Sequence, residues 1–269
     1  MAATLLATIA AAAGLFVPHL YRDTDAWIRQ AQASDVTTLF VAVPLLTIAL
    51  WRARNGGEVA PLVALGALAY LAYGYAIFAF AMTVNAMTPL HYAILGVATW
   101  SIGFWLAATQ TNVVATVPRL PRRISGVFLL ATAALFALLW LGQIAASISS
   151  GERTPALVDL GLTTNPVWAL DLAFALPAFA VAGVLLLRRV PMAPLVALPL
   201  LVFASVMGAS ILVIFAFDGM AGAAVDPVPV ALVGLIVLIA TALGIVGLVR
   251  PQPARGRPLG YGGQTHSEV

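Results

Sequence analysis

The chain has 269 residues, 62% of them hydrophobic and only 9% charged, with a mean hydropathy of +1.03. Soluble domains carry about 25% charged residues, so composition excludes an ordinary globular protein. There is no cysteine, all 13 basic residues are arginine, and the net charge is +3.

Without lysine the chain cannot form a retinal or pyridoxal-phosphate Schiff base or a P-loop. Without cysteine it cannot be a disulfide oxidase, hold a thiolate zinc site or carry an iron–sulfur cluster. Arginine without lysine, amid so much alanine, points to a GC-rich bacterial genome.

Apolar runs near 2–18, 36–51, 61–83, 90–113, 124–147, 167–187, 194–217 and 229–249 predict eight membrane spans. The first lacks the positive n-region of a secretory signal and is expected to be a retained helix. Between the first two runs, YRDTDAWIRQAQAS (21–34) reads as a short helix capped by Asp23 or Thr24 and lying on the outer surface. The break between the third and fourth runs falls at Asn85 and Pro89, and the Pro- and Gly-rich tail 251–269 reads as disordered.

Ten of the thirteen arginines follow the second, fourth, sixth and eighth runs: Arg52, Arg54, Arg119, Arg122, Arg123, Arg188, Arg189, Arg250, Arg255 and Arg257. The positive-inside rule makes that side cytoplasmic, with both termini on it, in the inner (plasma) membrane. The other side collects Asp23, Asp25, Asp35, Glu152, Asp159, Asp171, Asp218 and Asp226.

The chain also resembles itself. Shifted by 133 residues, Pro44 falls on Pro177, PLVAL at 61–65 falls on PLVAL at 194–198, and Asn85 falls on Asp218. Residues 41–87 give 12 identities in 47 positions, where this composition would give roughly five by chance. The expected architecture is an all-α integral membrane bundle of about eight helices. It forms a single domain over 1–250, with halves 1–118 and 119–250 as parallel four-helix repeats.

Acids within membrane segments are costly and face a bundle interior or water. Asp35 and Asp171 near outer helix ends, with Asp218, Asn85 and Asn165, therefore outline a polar vestibule open to the non-cytoplasmic face. The plainer reading of Asp171 is a carboxylate that accepts hydrogen bonds or pairs with Arg22 or Arg153. Asn165-Pro166 makes a good helix start above Asp171. Tyr70 and Tyr73 share one helix face and need hydroxyl partners, whether a ligand or neighbouring helices. No carboxylate is expected near the bilayer midplane, and neither HExxH nor GxSxG occurs.

LYRD at 20–23, the acid opening the second span and NPVWALD at 165–171 together resemble uncharacterised bacterial polytopic membrane proteins. That resemblance implies a multi-pass inner-membrane fold and carries no activity with it. The leading functional reading is a permease-like or solute-binding protein, with Asp171, Asp35, Asp218, Asn85, Asn165 and Tyr73 as site residues. A structural or accessory membrane protein without transport is the alternative, and a membrane-embedded enzyme is third. Expected partners are the lipid bilayer and a small solute or cation, with no cofactor, metal or nucleic acid.

Overall fold

The computed structural model describes residues 1–109, 116–249 and 252–253. The rest of the predicted tail, and Arg250, Arg255 and Arg257, lie outside the described residues. Among the described residues nine helices follow in chain order: α1 Ala2–Phe16, α2 Asp25–Arg54, α3 Ala60–Ala81, α4 Thr88–Thr109, α5 Arg122–Ser150, α6 Pro155–Asp159, α7 Pro166–Leu187, α8 Ala193–Met220 and α9 Pro227–Val249. Helices suit such apolar runs because they satisfy every backbone polar group internally, where lipid offers no partner.

Seven of these helices, α2 to α5 and α7 to α9, are long and apolar enough to cross a membrane. The first apolar run forms only the 15 residues of α1, about 22 Å of helix against a hydrocarbon core of about 30 Å. Its small face (Ala3, Ala7, Ala10, Ala11, Gly14) is buried against α2 and α4.

The connections sort into two faces. At one, Asp23 Oδ1 accepts from the backbone N–H and the hydroxyl of Thr83 at 3.0 and 2.8 Å, and Trp27 Nε1 donates to Ala81 O at 3.2 Å. At the other, Arg122 donates to Val190 O at 3.0 Å, and Thr116–Val117 (β1) pairs antiparallel with Gln252–Pro253 (β2). Helices that alternate between these faces make an up-and-down bundle.

The expected surface helix at 21–34 is instead the first third of a spanning helix. Thr24 caps it, accepting from Trp27 N at 3.3 Å, and the chain stays helical from Asp25 to Arg54. The physical reason is packing: Trp27, Ala31, Ala33, Asp35 and Thr37 are buried, while Arg29 reaches Asp218 on α8 at 3.2 Å. With Trp27, Arg29 and Asp35 partnered by protein, this stretch packs as part of the bundle rather than lying flat on its surface. Because the helix starts ten residues before Asp35 rather than next to it, Asp35 lies about 15 Å along a 45 Å helix, about 7 Å from its midpoint. It therefore lies well inside the helix rather than at its outer end.

Proline cannot complete the helical pattern, so Pro44 and Pro177 predict distorted helices, and both are accommodated by one device. Val43 N donates to Thr38 O, five residues back, across a π-helical turn at Thr38–Ala42. Leu176 N donates to Asp171 O across a second π turn at Asp171–Ala175. Proline has no N–H and its ring collides with the preceding turn, so widening that turn by one residue relieves it. The two turns sit 133 residues apart.

The bundle is centred on α3 and α8. The first is the most buried span, and a β-carbon on its Gly66 would lie 2.6 Å from Pro199 O and 2.5 Å from Val202 Cβ of α8. Gly66 and Pro199 are also 133 residues apart. Away from this axis α4 packs on α3, α9 on α8 and α5 on α7. Phe40, Phe80, Trp100, Phe104, Phe174 and Leu238 project outward, as expected of side chains solvated by lipid.

Candidate functional site

The polar interior is organised by the tyrosines of α3. Tyr70, fully inside the core, has its hydroxyl 3.2 Å from that of Thr38 and donates to Ser34 O at 3.3 Å. One turn on, the Tyr73 hydroxyl donates to Asp171 Oδ1 at 2.9 Å. Thr38 and Asp171 are the first residues of the two π turns, so one helix face fastens both. Residues i and i+3 on a helix are neighbours, which is why one tyrosine pair reaches two different helices.

Asp171 has a second partner, for Trp140 Nε1 of α5 donates to its Oδ2 at 2.7 Å. Both carboxylate oxygens are thus engaged by uncharged donors from separate helices. Hydrogen bonds to a carboxylate are about twice as strong as neutral ones. The two donors pack on further rings: Phe203 lies 5.6 Å from Tyr73, Phe136 lies 5.8 Å from Trp140, and Phe179 lies 6.0 Å from Phe203, centroid to centroid. Asp171 itself is half-buried. Neither Arg22 nor Arg153 pairs with it; Arg153 instead donates to Leu162 O at 3.2 Å.

Asp35 occupies a different place. It is 2% exposed and accepts from the Tyr21 hydroxyl at 2.5 Å. Burial, and then the adjacent Asp35, push the Tyr21 phenol well above its usual range, so it stays protonated and acts as donor. Asp218 is held by Arg29, a partly exposed pair worth at most about 1 kcal/mol.

The amides do local work. Asn85 accepts from Met87 N at 2.8 Å and its backbone N–H donates to Thr88 Oγ1 at 2.9 Å, while Asn165 accepts from Val167 N at 2.9 Å and caps α7. No hydrogen bond or ion pair among the described residues joins Asp35, Asp171 and Asp218 to one another. Of the six expected site residues, the fold couples Asp171 with Tyr73 directly and gives the others separate partners.

Sequence reasoning missed Trp140, Tyr21, Gly14 and Arg29. A lone tryptophan among alanines and leucines on α5 gives no sign of which helix it will face.

Fold and interior together define a multi-pass helical membrane protein, in contact with the lipid bilayer through its apolar helices. The chain matches no family model, no curated protein and no solved structure.

Proposed function

We propose that the protein is a permease-like or solute-binding membrane protein whose acidic site is centred on Asp171 and opens to the non-cytoplasmic face. One observation carries this reading: a half-buried carboxylate starts a π turn within a spanning helix, held by Tyr73 and Trp140 from two other helices. Ionisable groups inside a membrane segment usually mark a solute or ion path, and π turns frequently occur at functional sites. A carboxylate held by Tyr73 and Trp140, whose rings pack on Phe203 and Phe136, favours a small organic cation, because aromatic faces attract positive charge.

A duplicated origin fits this reading. The π turn recurs at the 133-residue shift, and Gly66 meets Pro199, its own counterpart at that shift, as expected beside a two-fold axis relating the halves. Solute sites commonly form between such halves.

The test uses detergent-purified protein, with methylammonium, choline and sorbitol as probes. One of the two cations should raise the thermal midpoint in a saturable way, and Asp171→Asn should abolish that rise while leaving expression intact. A wild-type midpoint unmoved by any probe, or a shift that survives in Asp171→Asn, removes Asp171 from the site. Uptake of the same probe into proteoliposomes separates transport from an accessory role. The accessory reading draws its support from Asn85 and Asn165, whose side chains cap chain turns.

The orientation is part of the proposal, with the arginine-rich face in the cytoplasm of a plasma membrane. A reporter enzyme fused after Arg257 should be active only on the cytoplasmic side; periplasmic activity at that fusion reverses the topology.

A further inference from the structure

We propose that Asp35 is a protonation site supplied from the non-cytoplasmic face through the cavity beneath the α1–α2 turn, with Tyr21 passing the proton across. This site is separate from Asp171 and does not depend on what binds there.

The cavity has a volume of about 230 Å³, lined among others by Gly14, Phe16, His19, Tyr21, Ile28 and Gln32. That is room for several waters, and the polar lining supplies the hydrogen-bond partners that buried waters need. His19 at its rim is exposed, with φ +58°. This left-handed residue reverses the chain between α1 and α2 and brings Tyr21 back under Gly14.

Gly14 lines the cavity and also touches the buried pair. A β-carbon there would collide with both Asp35 Oδ2 and the Tyr21 hydroxyl. α1 therefore lacks a side chain just where the phenol and the carboxylate meet, and Tyr21 stands in the cavity wall with Asp35 behind its hydroxyl.

An ionised Asp35 would have no counter-ion. Among the described residues no arginine lies within salt-bridge distance of it. The groups that face it are neutral or acidic: Tyr21 from the turn, Tyr70 and Tyr75 from α3, and Asp23 acting on Tyr21 from the same turn. His91 of α4 stands one ring further off, 5.6 Å from Tyr75. The Tyr75 hydroxyl is buried with no hydrogen-bond partner among the described residues. An isolated charge in such a place is expensive, and a proton is the simplest way to remove it.

The transfer balances at Tyr21. A protonated cavity water gives its proton to the phenolic oxygen as the phenol's own proton passes to Asp35 Oδ2. One O–H bond forms and one breaks at Tyr21, the phenol ends neutral, and the carboxylate becomes a carboxylic acid. The reverse steps return the proton to the cavity.

Infrared difference spectroscopy of the full chain in detergent, stepped between acid and alkaline buffer, tests this directly. A carboxylic-acid carbonyl band should grow on acidification, vanish in Asp35→Asn and persist in Asp218→Asn. Tyr21→Phe should displace that band and slow its deuterium exchange roughly 100-fold, the contribution of a positioned proton donor. If Asp35→Asn does not fold, Asp35→Glu should carry the band at a new frequency. A band that is identical in wild type and both Asp35 variants, or that never titrates, overturns the proposal. Loss of the wild-type band on adding sodium or potassium chloride at constant pH also overturns it, in favour of a metal-cation site. An exchange rate unchanged in Tyr21→Phe removes the tyrosine step and with it the proposed route.

Discussion

Gly66→Leu should destabilise the protein by about 3 kcal/mol or more, the cost of overpacking a tight interior contact. The glycine faces the carbonyl of Pro199 and the β-carbon of Val202 at the crossing of α3 and α8. A backbone carbonyl cannot swing aside as the tip of a side chain can, so the two central helices must separate. Gly74 supplies the internal control, because it sits on the same helix and a β-carbon there meets nothing within 4 Å. Leucine is the better helix former by about 1 kcal/mol, so Gly74→Leu should be neutral or slightly stabilising. Thermal unfolding in detergent, followed by loss of the monodisperse peak, reads the difference. Equal losses at both positions would mean that helix composition, not the α3–α8 contact, sets stability.

The second large effect is expected where α5 meets α7. A β-carbon on Gly126 would lie 3.0 Å from Gly183 O, and one on Gly183 would lie 2.9 Å from Gly126 O. Reciprocal glycines of this kind let two backbones approach, and such close packing is a main source of helix association in lipid. Gly126→Leu should cost about 2–3 kcal/mol by overpacking and swing α5 away from α7. Because α5 carries Trp140 to Asp171, that hydrogen bond should be lost with it. The fluorescence difference between wild type and Trp140→Phe isolates this indole, and the isolated emission should change in Gly126→Leu but not in Gly142→Leu. Gly142 lies on the same helix with open space beside it. Unaltered Trp140 emission in Gly126→Leu would show that α5 is held by contacts other than the glycine pair. Loss of Trp140 should also weaken any cation binding at Asp171, which links a packing contact to the proposed site.

Several features of the interior were visible in the amino-acid order. Pro44 and Pro177 announced distorted helices because proline cannot complete the backbone pattern, although only the structure revealed π turns as the solution. Tyr70 and Tyr73 announced one polar face because their spacing is that of adjacent helix turns. Asn165 announced the start of α7, and the Asp23-Thr24 pair announced a helix start, which Thr24 caps. Each of these is a local property, decided within a few residues of chain.

Partners were not legible in the same way. Asp35 looked like the outer end of a span because the apolar run begins just after it. The helix boundary was instead decided by Thr24, and by packing of Trp27, Ala31 and Ala33 against other helices. Asp171 had two arginines as plausible neighbours in sequence and took a tyrosine and a tryptophan instead.

By itself the sequence determined that the chain is a bundle of long apolar helices suited to lipid, and which connections share a face. Those follow from hydropathy and charge, which act residue by residue against the solvent. The structure shortened the first of the eight expected spans to the 15 residues of α1. The tertiary structure alone decided that the acids occupy separate sites and that α3 and α8 form the axis. It also decided that Gly14 leaves room for Tyr21 against Asp35. These depend on which helices come together, and that is set by shape and hydrogen bonding between segments far apart in the chain.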